Sequence, residues 1–232
     1  MKSSKPDSEQ TSLTSTKSLN FVRTCIENAL DLLTTTNCTV CGNESFGRRL
    51  CPDCETFLNT TPAVSTKTVN NYEVHYFGFY EEKLRDFILA YKYHNHHSLC
   101  KELAKLTHNV IIAHRISFDI ISYVPATKSA KKKRGYDHIE LIVKQLSKMT
   151  EKPWIKSMDA VRETDQLQTA DRKESVKGKF AMIDSASEMI VNKEVLLIDD
   201  VLTTGNTMSE ASRILKMAQP TEIIRLVIAI KK

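Results

Sequence analysis

An α/β fold with a largely parallel sheet is the expectation for this 232-residue chain, and three stretches carry it. "FDIISYVP" (118–125), "EVLLIDD" (194–200) and "EIIRLVIAI" (222–230) are short aliphatic runs. A run apolar on both faces fits a strand covered on both sides, which is the condition of a parallel sheet. Around them lie longer stretches whose apolar residues recur at helical spacing. Strands that alternate with helices pair in parallel through crossover connections.

The elements follow in order. Residues 17–34 place Leu19, Val22, Ile26, Leu30 and Leu33 on one helical face. A cysteine cluster comes next, and "TPAVSTKT" (61–68) reads as a polar connector. "YEVHYFGFY" (72–80) is aromatic-rich and reads as a strand or hairpin. Residues 81–93 read as a helix, as do 98–115, where Leu99, Leu103, Leu106, Val110 and Ile111 form a stripe. The run 118–125 ends in a basic loop, and a helix is expected over 137–149. Residues 160–180 are polar without clear periodicity, and a helix over 207–218 follows the second strong strand. In domain terms, 1–20 is expected to be a disordered tail, 21–60 a helix with a cysteine module, and 70–232 the α/β domain.

A hydrophobic fraction of 41% suffices for a core. The net charge of +5 permits a polyanionic partner, and Lys128, Lys131, Lys132, Lys133 and Arg134 concentrate it. No apolar run approaches a membrane span, and the Ser-, Thr- and Lys-rich start has no signal-peptide core. A soluble cytoplasmic protein is therefore expected, and with it no disulfide framework.

The densest chemistry lies in "VLLIDDVLTTGNT" (195–207). Ligands of open parallel sheets bind at the carboxyl ends of strands, where Asp199 and Asp200 fall. The residues after them, Val201, Leu202, Thr203, Thr204, Gly205, Asn206 and Thr207, supply backbone amides, hydroxyls and a permissive glycine. They open a helix, whose free N–H groups and positive dipole end favour an anion. The carboxylates stand where they could accept hydrogen bonds from sugar hydroxyls or hold Mg²⁺. Together these features describe a site for a 5-phosphorylated ribose; a capped βα turn is the plainer reading. Neither a Walker loop nor a G-x-G-x-x-G turn is present.

This run resembles the phosphoribosyl-pyrophosphate (PRPP) motif of type I phosphoribosyltransferases. The resemblance implies that Asp199 and Asp200 meet the ribose hydroxyls and that the loop through Thr207 holds the 5-phosphate. "YVPATKSAKKKRGYDHIELIVKQLS", "YKYHNHHSLCKELAKL" and "TDQLQTADRKESVKGKF" extend the likeness to the ComF family of competence-associated relatives, over roughly residues 36–230. A type I phosphoribosyltransferase fold follows by that resemblance: a central, mostly parallel sheet flanked by helices, a small hood and an N-terminal zinc module. A cationic loop of Pro125, Lys128, Lys133, Arg134 and Gly135 facing the phosphate site could grip a pyrophosphate group; a solvated basic loop is the plainer reading. The resemblance also implies a hood over residues 160–180 carrying Arg162, Gln166 and Arg172. Asp137 stands where the family commonly has Asn.

Cys38, Cys41, Cys51 and Cys54 form C-x₂-C-x₉-C-x₂-C. Two such pairs complete a closed tetrahedral thiolate site, which points to structural zinc. An iron–sulfur cluster or two redox dithiols would use the same residues. Cys25 and Cys100, on helix faces, read as small core residues. The histidines of "YKYHNHHS" read as solvated, and Tyr91, Lys92 and Tyr93 as packing and snorkelling side chains.

Three functions fit. Family resemblance implies a PRPP- and zinc-binding competence protein, acting with a helicase-like partner on single-stranded DNA during natural transformation. A second is an active Mg²⁺-dependent phosphoribosyltransferase with an unknown acceptor. A third is a regulator that binds PRPP without turnover.

Overall fold

The computed structural model describes residues 37–45, 47–62, 65–93, 96–161 and 178–232. The expected tail 1–20, the helix over 17–34, Cys25, His94 and the hood residues Arg162, Gln166 and Arg172 lie outside them. The chain divides into two compact units between Glu55 and Thr56, within the short helix α1 (Pro52–Phe57).

The larger unit is built on a five-stranded sheet. Its strands are β1 (Thr66–Val69), β2 (Tyr72–Phe79), β3 (Ile120–Tyr123), β6 (Glu194–Leu202) and β7 (Glu222–Ile230), in the order β1-β2-β7-β6-β3. Only the β1–β2 pair is antiparallel. The three aliphatic runs of the sequence occupy the centre and one edge, and β3 is buried along its whole length. Trp154 partly covers that edge: Ile121 donates to the Pro153 carbonyl at 2.9 Å and accepts from Ile155 at 2.8 Å.

Helices α2 (Glu82–Tyr93), α3 (Cys100–Ala113) and α5 (His138–Thr150) bury Phe87, Ile88, Tyr91, Leu103, Leu106, Ile139 and Ile142. α3 packs on β2 and β7, and α5 on β3 and β6. On the other side, Val195, Leu197, Val74 and Val227 share a core with Met208, Ala211, Ile214 and Leu215 of α7 (Asn206–Lys216). A two-stranded ribbon, β4 (Met158–Ala160) and β5 (Phe180–Met182), and helix α6 (Asp184–Ile190) complete the unit.

Three local readings change. The connector 61–68 contains β1, which turns into β2 through Asn70 and Asn71 at φ 50° and 65°. Two left-handed residues suit the tight hairpin turn whose twist matches the strands, and Asn tolerates that conformation. The expected basic loop is instead helix α4 (Lys128–Arg134). Thr127 caps it by accepting from the Ala130 N–H, and Gly135 ends it at φ +81°. Finally, β6 does not stop at the acids but runs on to Leu202.

Candidate functional site: the carboxyl end of strand β6

Side chains alternate across a strand, so Asp199 and Asp200 project from opposite faces of the sheet. Asp200 shares the parity of Leu196 and Ile198 and is 7% exposed. Its Oδ2 pairs with Nζ of Lys92, the penultimate residue of α2, and with Nε2 of His138 at 2.5 Å, the first residue of α5. Arg134 approaches the other ring nitrogen of His138, Nδ1, at 2.9 Å. A guanidinium only donates, so Nδ1 accepts and Nε2–H donates to Asp200. The imidazole is neutral in this arrangement. Burial alone would raise the Asp200 carboxyl; Lys92 and His138 outweigh it and hold the group far below the usual carboxylate range.

Asp199 sits differently. Its Oδ1 accepts the backbone N–H of Asp200 at 2.8 Å. Burial, and then the neighbouring Asp200 charge, push its carboxyl up to about 8.

Beyond Leu202 the loop is short. Thr203 and Thr204 are exposed, and Gly205, at φ +79°, leads into α7 with no side-chain cap. The first amides of α7 are thus open to an anion. Gly205 is held from the β1–β2 hairpin: Tyr72 donates to its carbonyl at 2.8 Å, and Tyr72 and Asn70 both reach Ser209 Oγ. A Cβ on Gly205 would lie 2.3 Å from Val69 Cγ1. Glycine is therefore required twice, by dihedral and by space.

At the carboxyl end of β3, Pro125 is buried and Lys128, Lys132, Lys133 and Gly135 are exposed. Lys131 pairs with Asp137 at 3.0 Å. Asp137 also caps α5 through Ile139 and accepts from the Ala126 N–H at 3.1 Å. The Arg134 guanidinium lies 5.7 Å from the ring of Tyr93, which is 58% exposed.

The structure thus brings together Asp199, Asp200, the loop through Thr207 and Arg134. Two participants went unread in the sequence. Lys92 was expected to snorkel, but its ammonium is spent on Asp200. His138 carried no separate signal. Tyr91 does pack: its ring is buried and its hydroxyl donates to the His138 carbonyl at 2.6 Å. Cys100 is buried as expected of a core residue.

Part of the acids' acceptor capacity is engaged within the chain. Both donors on Asp200 share one oxygen, and one oxygen of Asp199 is taken by backbone. The remaining oxygens, one on each carboxylate, can accept hydrogen bonds from sugar hydroxyls. Among the described residues, the one cluster of three or more His, Cys, Asp or Glu ligand atoms close enough to share a metal is Cys38, Cys41, Cys51 and Cys54.

The smaller unit is organised by those four cysteines. Their sulfurs all lie within 4.8 Å of one another, with Cys41–Cys51 at 3.6 Å and Cys41–Cys54 at 3.7 Å. Tetrahedral zinc with bonds of about 2.3 Å asks for sulfurs about 3.8 Å apart. The first pair sits in a knuckle: Gly42, at φ +76°, donates to the Cys38 carbonyl at 2.9 Å. Of the second pair, Cys51 immediately precedes α1 and Cys54 lies on its first turn. Burial opposes ionisation of Cys38, but backbone N–H groups of Cys41, Cys51 and Val40 outweigh it and bring the thiol to about 7. Such a closed set of four sulfurs fits structural zinc.

Residues 155–232 match the family model of the phosphoribosyl transferase domain. The chain is 29% identical over 155 residues to Competence protein F of Haemophilus influenzae, covering 63% of this chain and 67% of that protein. It is also similar to a structure of the allosteric regulatory enzyme of purine biosynthesis (20% identity, TM-score 0.38, 56% of this chain and 25% of that one). The B. subtilis glutamine PRPP amidotransferase complexed with ADP and GMP gives 19% and 0.39, over 56% of this chain and 26% of that one. The chain spans about a quarter of the length of those two structures. No helix among the described residues is long and apolar enough to cross a membrane. The sequence relative, the domain match and the parallel sheet with its strand-end acids agree: the chain is similar to Competence protein F and has a phosphoribosyltransferase-related fold.

Proposed function

We propose that this protein binds PRPP at the carboxyl end of β6 and serves the handling of single-stranded DNA during natural transformation. The observation that supports the binding reading is that one strand end carries both an acid pair and an open helix N-terminus. Asp199 and Asp200 end the buried run, and Gly205 turns at once into the uncapped amides of α7. The 5-phosphate would lie on Thr203–Thr207, with the ribose hydroxyls toward the acids. The diphosphate, with Mg²⁺ as its own counterion, would face Lys128, Lys133 and Arg134 at the carboxyl end of β3. The competence role draws on the likeness to Competence protein F. A cytoplasmic location, a helicase-like partner and one structural Zn²⁺ on the four cysteines belong to the same reading.

Turnover is the second reading, favoured by the exposed cations of α4. In that reaction the bond from the anomeric carbon to the diphosphate oxygen breaks, diphosphate leaves with the bonding pair, and an acceptor's lone pair closes on the carbon. Positioning and charge stabilisation suffice for this, so no side-chain nucleophile is needed.

The test is calorimetric titration of zinc-loaded protein with Mg²⁺–PRPP, beside a folded Asp199→Ala/Thr207→Ala variant. Saturable binding lost in the variant supports the site; no binding by the wild type sinks it. Transformation frequency in cells carrying the variant then tells whether the pocket serves DNA uptake. Diphosphate release on adding candidate acceptors separates an enzyme from a regulator that only binds.

A further inference from the structure

We propose that Lys92 is a built-in counter-cation: it neutralises Asp200 from within the chain, so that the strand-end acids hold a phosphorylated ribose with no metal ion bridging them. This rests on the phosphoribose reading above and deepens it.

The geometry is specific. Asp200 is buried, and Nζ of Lys92 meets the same Oδ2 that accepts from His138. The Lys92 side chain is itself only 16% exposed. A lysine stem that deep, with its ammonium on a buried carboxylate, is not a solvated surface charge. Arg134 stands behind His138 as a second cation, joined to Asp200 through the neutral ring.

Charge arithmetic explains what this does. Two bare carboxylates facing a phosphate-bearing sugar would repel it, and a divalent ion would be needed to reconcile them. Here Asp200 is matched by Lys92, and burial beside Asp200 keeps Asp199 largely uncharged near neutral pH. The strand end therefore presents no net negative charge to the ligand. The remaining lone pairs of the two carboxyls still accept hydrogen bonds from sugar hydroxyls. Lys92 touches Asp200 rather than the sugar, so it is a positioning residue.

Ribose 5-phosphate is the informative probe, because it lacks the diphosphate that would bring its own Mg²⁺. Binding is measured by calorimetry in magnesium-free buffer and with added Mg²⁺; a chelator is avoided because it would strip the cysteine site. The wild type is expected to bind equally in both. Lys92→Met is expected to bind about tenfold more weakly without Mg²⁺, the loss of a charge-assisted contact, and to recover when Mg²⁺ is added. Lys92→Arg should retain binding in both buffers. Recovery by Mg²⁺ is the signature that a merely structural lysine would not give.

A wild type that needs Mg²⁺ for ribose 5-phosphate overturns the inference. So does a Lys92→Met protein that binds normally without Mg²⁺, or one whose loss Mg²⁺ does not restore. If Lys92→Met fails to fold, Lys92→Gln in the same two buffers decides: its amide can still donate to Asp200 but carries no charge, so metal-free binding should weaken and Mg²⁺ should restore it. If the wild type binds PRPP but not ribose 5-phosphate, only the Lys92 inference fails. If it binds neither, the phosphoribose reading fails as well.

Discussion

In the folded chain Lys92 and His138 converge on one oxygen of Asp200, Oδ2. A helix C-terminus, a helix N-terminus and a central strand thus meet at a single buried charge. Breaking such a cluster from the acidic side leaves an ammonium inside without a partner. Asp200→Ala is expected to destabilise the larger unit by about 3–5 kcal/mol. Adding Lys92→Met should return part of that loss, because the orphaned charge goes with it. Denaturant unfolding of the two single variants and the double variant checks this, and additive losses would contradict it.

Asp199 makes stability depend on pH in an unusual direction. Its carboxyl, held at about 8 in the fold against about 3.9 in an unfolded chain, keeps its proton over a window where the unfolded chain has lost it. The folded state binds the extra proton, so this contribution is complete below the unfolded value and is lost as pH rises through about 8. Between pH 5 and 9 the melting temperature should fall, and Asp199→Asn should flatten that slope by about one proton. An unchanged slope in Asp199→Asn would place the effect elsewhere.

Gly205→Ala meets two obstacles, a left-handed φ and the Val69 methyl 2.3 Å from the new Cβ. The combined cost is expected at about 2–4 kcal/mol. Val69→Ala in the same chain should recover the steric part but not the dihedral part. Thermal unfolding of the single and double variants reads both, and the absence of any recovery would mean the hairpin does not press on the loop.

The cysteine unit should carry one zinc per chain, measured by elemental analysis of protein purified without added metal. Removing the metal should make four additional thiols reactive toward a thiol reagent, since these four sulfurs lie together. Cys54→Ser, at a fully buried ligand, should lose most of the metal and melt the knuckles. Iron in place of zinc, or full metal retention in Cys54→Ser, would contradict the assignment.

What the sequence by itself determined was whatever rests on near neighbours in the chain. The buried strands announce themselves as unbroken aliphatic runs. The strand-end loop is legible because acid, hydroxyl and glycine are contiguous, and the four-cysteine cluster because two C-x-x-C turns each bring two sulfurs together. Where a local signal was weak or misread, the reason is local too. β1 hides in a polar stretch, since an edge strand with one wet face needs few apolar residues, and the lysine run forms α4 because Thr127 and Gly135 cap it. The tertiary structure alone decided how the acids are used. Lys92 looks like a snorkelling helix residue until α2 packs beside β6, and His138 looks like the first residue of a helix until Arg134 fixes its tautomer. The physical reason is range: backbone preference and side-chain spacing act over a few residues, whereas the charge state of Asp200 depends on groups that only packing brings within hydrogen-bond reach.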